Sequence, residues 1–200
     1  MQPLLLATRN TNKTREFREL LGEDFELIDL SSFAEIAILE ETGRTFAENA
    51  ILKAVGASQH RHLLVIAEDS GLEVDALDGA PGILSARYAG ENATARDNID
   101  KLLRELAGTE PDRMRRSARF RCVLALAHGG KLLGTFAGLV DGRIVDPPRG
   151  ENGFGYDPIF APDGFNKTLA ELPAEVKNRI SHRAEAIRAF RAGLPAVRGD

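Results

Sequence analysis

Two hundred residues, 43% hydrophobic and 28% charged, supply enough apolar side chains for one sizeable core or two small ones, and leave no disordered tract. A net charge of -4 and a pI near 5.7 argue against a dedicated nucleic-acid binder, whose domain would be strongly basic. The single cysteine, Cys122, excludes an intrachain disulfide and a cysteine-based zinc site, and it fits a reducing, cytoplasmic compartment.

The run Pro3-Leu4-Leu5-Leu6-Ala7 reads as a buried strand, too short for the apolar region of a signal peptide or for a membrane span. After the polar break Thr8-Arg9-Asn10-Thr11-Asn12, Phe17, Leu20 and Leu21 share one face of a helix that ends at Gly22, a residue suited to a left-handed cap. Strand, polar loop and helix is the order in which a helix N-terminus meets an anion. Lys13, in the first turn, opposes the helix dipole unless something negative is bound. Phe25 to Leu30 reads as a second strand. Glu40-Glu41-Thr42-Gly43 then leads into a helix from about Thr45, where Thr45 and Glu48 form a capping box. Phe46, Ala50, Ala54 and Ala57 make its apolar stripe, with Lys53 beside it.

The next strand, Leu63 to Ala67, is expected to stop at Glu68-Asp69-Ser70-Gly71. Acidic residues at a strand end in an α/β chain commonly face a ligand crevice, and Asp-Ser-Gly is equally an ordinary turn. Both readings stand on these residues alone. A glycine- and proline-rich turn follows at Gly79-Ala80-Pro81-Gly82, then a helix from Ala93 to Leu106 that buries Ile99, Leu102, Leu103 and Leu106. The basic run from Arg113 to Arg121 reads as a solvated loop entering a strand. Within that strand Phe120, Cys122, Leu124 and Leu126 alternate with Arg119 and Arg121, and Gly129-Gly130 turns it into a hairpin with Lys131 to Val140. The loop from Asp146 to Pro158 combines many glycines with Phe154 and Tyr156, which fits either close backbone approach to a flat ligand or a structural loop. Ala174 to Ala192 is helical with a break near Lys177, Ser181, His182 and Arg183. There is no internal repeat and no dividing linker, so residues 1–200 read as a single α/β domain with two lobes.

Glu40, Glu41, Glu68 and Asp69, with Ser70, form a set of hard oxygen donors suited to magnesium and substrate phosphates. His60, His62 and His128 read as solvated surface, and no HExxH pair points to zinc. There is no GxSxG elbow, Walker A sequence or GxGxxG fingerprint, and Cys122 lies on an apolar strand face. Metal-assisted attack by water on a phosphoryl group, with a carboxylate as base, is the chemistry left standing.

Six separated pieces occur in order along nearly the whole chain: Thr8-Arg9-Asn10-Thr11-Asn12-Lys13, Glu40 to Phe46 with Glu48-Asn49-Ala50, Asp69-Ser70-Gly71-Leu72, Gly79 to Gly82 with Ser85-Ala86-Arg87-Tyr88, Gly153 to Pro158, and Ser181-His182-Arg183. Together they make the chain resemble the non-canonical purine nucleoside triphosphate pyrophosphatases, also called inosine/xanthosine triphosphate pyrophosphatases. The resemblance implies an elongated mixed sheet with flanking helices, an active-site cleft between two lobes, a homodimer, and hydrolysis of ITP, dITP or XTP to the monophosphate and pyrophosphate. It implies that Thr8, Arg9, Asn10, Thr11, Asn12 and Lys13 hold the phosphate chain with help from Lys53 and Ser70. Asp69 would be the general base and a magnesium ligand, and Glu40 the second ligand. Phe154 would stack on the purine, with Gly155, Tyr156 and Asp157 shaping the pocket and Lys177, His182 and Arg183 holding the base edge. Two positions depart from the family pattern: Arg9 replaces a glycine, and Glu68 a common aspartate. A pyrophosphatase for altered pyrimidine nucleotides and a non-catalytic nucleotide-binding module are the competing readings.

Overall fold

The computed structural model describes residues 2–33, 36, 39–59, 63–107 and 116–198. Five segments alternate in the α/β manner: β1 (Gln2–Leu6), α1 (Thr11–Leu21), β2 (Phe25–Asp29), α2 (Phe46–Ser58) and β3 (Leu64–Val74). Then come α3 (Ala95–Ala107), β4 (Ser117–His128), β5 (Lys131–Ile144), the short β6 (Phe160–Pro162), α4 (Ala174–Ile180) and α5 (His182–Arg198). The six strands form one sheet in the order β2-β1-β3-β4-β5-β6. β1 is parallel to both β2 and β3, while β5 and β6 are antiparallel, so the sheet is mixed, as expected.

The chain forms two compact units. Unit 1 is residues 1–69, 122–138 and 183–200, and unit 2 is residues 70–121 and 139–182. Each has its own apolar core. In unit 1, Leu4, Leu6, Phe17, Leu21, Ile66, Leu124, Leu126, Ile187 and Phe190 pack together. In unit 2, Leu72, Val74, Ile99, Leu102, Leu106, Phe120, Tyr156 and Phe160 do so. Burying each such side chain contributes about 1.5–3 kcal/mol before the entropy of ordering is subtracted.

The local signals hold at most boundaries. Gly22 caps α1 at φ 56°. Thr45 accepts from the Glu48 N–H as a capping box requires, while Glu48 reaches back to the Arg44 N–H, one residue before the cap. Gly129-Gly130 joins β4 to β5, and the break near residue 181 is Ser181 itself, between α4 and α5. Cys122 is wholly buried, and burial pushes its thiol far up, so it is no nucleophile. Two expectations need comment. The strand that should have stopped at Glu68 continues as β3 through Val74, so Asp69-Ser70-Gly71 is strand and not turn. His60, His62 and the residues 113–115 of the basic run lie outside the described residues.

Asp29 closes β2 and ties it to α1, because the Thr14 hydroxyl donates to its Oδ2 at 2.9 Å and the Ser31 N–H to its Oδ1 at 3.0 Å. Burial alone would raise its pKa. The bonds from Ser31 and Thr14 outweigh that and hold it below the ordinary 3.8. The fold therefore favours the ionised form, and this contribution to stability is present above pH 3.8 and lost as pH falls through the lower native value. Urea midpoints measured across the acid range are expected to fall less steeply in Asp29→Asn than in the parent.

Candidate active site

Within unit 1, Ala7, Thr8, Arg9, Asn10, Lys13, Leu30, Leu39, Glu41, Lys53, Ala57 and Glu68 line a cavity of about 230 Å³. The end of β1 and the start of α1 supply one wall, and α2 another. Lys53, beside the apolar stripe of α2, is one of the lining residues. Its Nζ is 2.6 Å from Glu41 Oε1 and 3.2 Å from Asp69 Oδ1. Burial favours loss of the lysine proton, but Asp69 and Glu41 outweigh it and hold the pKa above the ordinary 10.5. Lys53 therefore stays an ammonium. Burial raises the Asp69 pKa more than Lys53 draws it down, and Glu41 adds to the rise. Asp69 is thus a more basic carboxylate than a solvated one.

Glu68, adjacent on β3, goes to other partners, as neighbours on a strand do. Its Oε1 accepts from Arg183 Nη2 at 2.8 Å and Nε at 3.1 Å, and its Oε2 is 3.6 Å from Lys13 Nζ. Arg183 Nη1 donates to Glu16 Oε2 at 2.6 Å, and all three side chains are buried. The four acidic residues picked out in the sequence thus divide. Glu41 and Asp69 share Lys53, Glu68 belongs to the arginine, and Glu40 is exposed. Among the described residues, no three His, Cys, Asp or Glu side chains converge in a ready-made metal cage.

The polar loop between β1 and α1 is built on its own capping. Asn10 Oδ1 accepts from the Asn12 and Lys13 N–H groups at 3.0 and 3.2 Å, and Thr8 Oγ1 accepts from the Asn10 N–H at 3.1 Å. Thr11 and Asn12 sit in the first turn of α1. Arg9 reaches across to backbone carbonyls, donating to Ile36 at 2.9 Å and to Leu30 and Phe33 at 3.4 Å. The Arg9 side chain therefore binds the segment after β2. Ser70 follows on β3, half-buried.

Of the residues expected to recognise a base, Phe154 and Lys177 meet at Asp157 in unit 2, whereas Arg183 belongs to unit 1. Lys177 Nζ donates to Asp157 Oδ2 at 2.7 Å, and both side chains are almost fully buried. The same oxygen accepts from the Phe154 N–H at 2.8 Å, and Lys177 lies 5.2 Å from the Phe154 ring centre. Gly153, at φ 75°, has no room for a side chain, since a Cβ there would lie 2.0 Å from Asp157 Oδ2. Gly155 is also left-handed, at φ 61°. Tyr156 is a core residue whose hydroxyl donates to the Ser85 carbonyl at 3.0 Å. His182 stacks on Phe120 with ring centres 4.7 Å apart.

Two partners escaped the sequence reading. Glu16 carries no signal beyond being an acid on a helix face. Asn49, which donates to Asp69 Oδ2 at 3.1 Å, carried one: it lies on the stripe of Phe46, Ala50 and Ala57, where a polar side chain must find a partner.

A model of the Ham1 family matches residues 4–193. A dITP/XTP pyrophosphatase of Listeria monocytogenes is 48% identical over 198 residues, covering 98% of this chain and 97% of that protein. One from Bacillus subtilis is 48% identical over 191 residues, covering 94% of each. Among solved structures, the Ham1 protein of Staphylococcus aureus superposes with a TM-score of 0.85 at 44% identity, over 98% of this chain and 99% of that one. A nucleoside-triphosphatase / dITP/XTP pyrophosphatase of Mycobacterium abscessus gives 0.76 at 39% identity, over 94% and 98%.

The ion cluster predicts a mutational asymmetry. Arg183→Ala leaves Glu68 and Glu16 buried beside a missing cation, and its expected cost is about 3–5 kcal/mol in urea unfolding. Arg9→Ala, which releases carbonyls at a more exposed position, is expected to cost about 1 kcal/mol.

Proposed function

The chain belongs to the Ham1 family, and from this premise we propose that it hydrolyses the non-canonical purine nucleoside triphosphates dITP, ITP and XTP to the monophosphate and pyrophosphate, removing them from the nucleotide pool. The observation that carries the reading is the buried Lys53 ammonium held between Glu41 and Asp69, beside a cavity that Arg9 and Lys13 also line. Such a site can grip a triphosphate and hold a base against it.

In this reading Lys13 and Lys53 offset charge on the phosphates. Thr8, Asn10 and the first turn of α1, with Ser70, orient them. Asp69, whose basicity is raised by burial, takes a proton from the attacking water. The water oxygen bonds to the α-phosphorus, the bond from that phosphorus to the bridging α–β oxygen breaks, and pyrophosphate leaves. In unit 2, Phe154 would stack on the purine, with Asp157 and Gly155 holding its loop. Lys177 and His182 would donate to a 6-oxo edge. Arg183, committed to Glu68 and Glu16, would hold β3 and α1 of unit 1 in place. A 6-amino purine would leave such donors unmatched, and sites built on a substrate hydrogen bond reject the analogue by up to about 10⁴–10⁵.

Magnesium fits the donor set. Glu41 and Asp69 already stabilise a cation between hard carboxylate oxygens, the ligands that this ion prefers. Asp69 with Glu41 or Glu40 would hold it. When bound, magnesium offsets charge on the triphosphate and makes the attacking water more acidic. A homodimer follows from the family resemblance, and a cytoplasmic location from the lone buried thiol; among the described residues no helix is long and apolar enough to cross a membrane.

Pyrophosphate release measured from ITP, dITP, XTP, ATP, GTP and dTTP, with and without magnesium, checks the reading. Metal-dependent turnover of the first three is expected to dominate, whereas preference for dTTP would point to the pyrimidine alternative. Asp69→Asn is expected to lower kcat by about 10²–10⁴-fold and to leave nucleotide binding largely intact. An unchanged rate would remove Asp69 from the role of base.

A further inference from the structure

Asn49 is only 1% exposed, and both ends of its carboxamide are used. Its Oδ1 accepts from the Gly43 N–H at 2.8 Å, and its Nδ2 donates to Asp69 Oδ2 at 3.1 Å. The polarity is forced. An N–H can only donate, so the oxygen must face Gly43 and the amide nitrogen must face the carboxylate. Turning the group over would set two donors together on one side and two acceptors on the other.

The approach of the chain at Gly43 is equally tight. A Cβ there would lie 2.6 Å from Asn49 Oδ1 and 2.7 Å from Glu48 Cβ, so glycine is required for the backbone to reach the amide. The capping box then fixes Arg44 and Thr45 to the same helix end. Glu41 lies two residues before Gly43.

A closed circuit results. Lys53 links Glu41 to Asp69, and Asn49 links Asp69 to Gly43. The two residues are one turn apart on α2, hence on the same face. The lysine contact is an ion pair on a long, flexible stem. The amide is short, fully buried and directional.

We propose that Asn49 is a positioning residue for hydrolysis. It fixes the Glu41 segment and the Asp69 carboxylate to one helix face, and so sets the angle at which Asp69 meets the attacking water. The inference rests on the reading of Asp69 as the base. It differs from a packing role because what Asn49 supplies is orientation, and its loss is felt in the chemical step.

The test is steady-state hydrolysis of ITP with magnesium, with thermal melts of each variant. Asn49→Asp keeps the shape and the acceptor for Gly43 but turns a carboxylate oxygen toward Asp69 where an N–H donor stood, and Asn49→Ala removes both bonds. Each is expected to lower kcat by about 10- to 100-fold with KM changed by less than about threefold, as is typical when a group that orients an active-site ligand is lost. In an Asp69→Asn background, Asn49→Asp is expected to cause no further fall. Wild-type kcat in a folded Asn49→Asp protein, or an equal fall in both backgrounds, would overturn the proposal. Full activity of Asp69→Asn itself would instead overturn the reading of the base, which keeps the two failures apart.

Discussion

A guanidinium sealed from water is a severe constraint, and unit 1 is assembled around one. Arg183 is only 3% exposed, so its charge is tolerable only with carboxylates in place, and it takes Glu68 from β3 and Glu16 from α1. Three elements far apart in sequence must meet at one point before any of them can be buried. Burial and the two carboxylates act in opposite senses on the arginine, and the carboxylates prevail, so it keeps its proton under all ordinary conditions. Glu68 in turn holds Lys13 near the start of α1.

The second ionic centre follows from the first. Because Arg183 occupies Glu68, the next residue on β3 is left to Lys53 and Asn49, and it is Asp69 that acquires the raised basicity of a desolvated carboxylate. The partners of two adjacent residues are thus kept apart by the pleat of one strand. The same economy recurs in unit 2, where one oxygen of Asp157 serves both the backbone of Phe154 and the ammonium of Lys177.

Much of this was legible in the sequence wherever the cause is local. Capping at Thr45, termination at Gly22, the hairpin at Gly129-Gly130 and the break at Ser181 depend on a few neighbouring residues, and the chain announces them. The end of β3 was misjudged because Glu68-Asp69-Ser70-Gly71 has the composition of a turn, and only partners from elsewhere in the chain make acidic residues acceptable inside a strand. Glu16 was unreadable for the same reason, its partner being 167 positions away. Arg9 was visible as a departure from the family pattern. That it binds the carbonyls of Leu30, Phe33 and Ile36 follows only from where the segment after β2 comes to lie.

The order of the segments has a consequence for a chain that is still being synthesised. Unit 1 draws on residues 1–69, then 122–138, and finally 183–200. A ribosome that has released the chain only through residue 182 has delivered Glu16 and Glu68 without Arg183, and the pocket for Ile187 and Phe190 without its occupants. The nascent first unit then holds two acids whose burial is unfavourable and an apolar hollow open to water. It cannot close until α5 arrives, whereas unit 2 is complete by His182. Vectorial synthesis thus finishes the later-starting unit first, and the final helix acts as the latch on the earlier one.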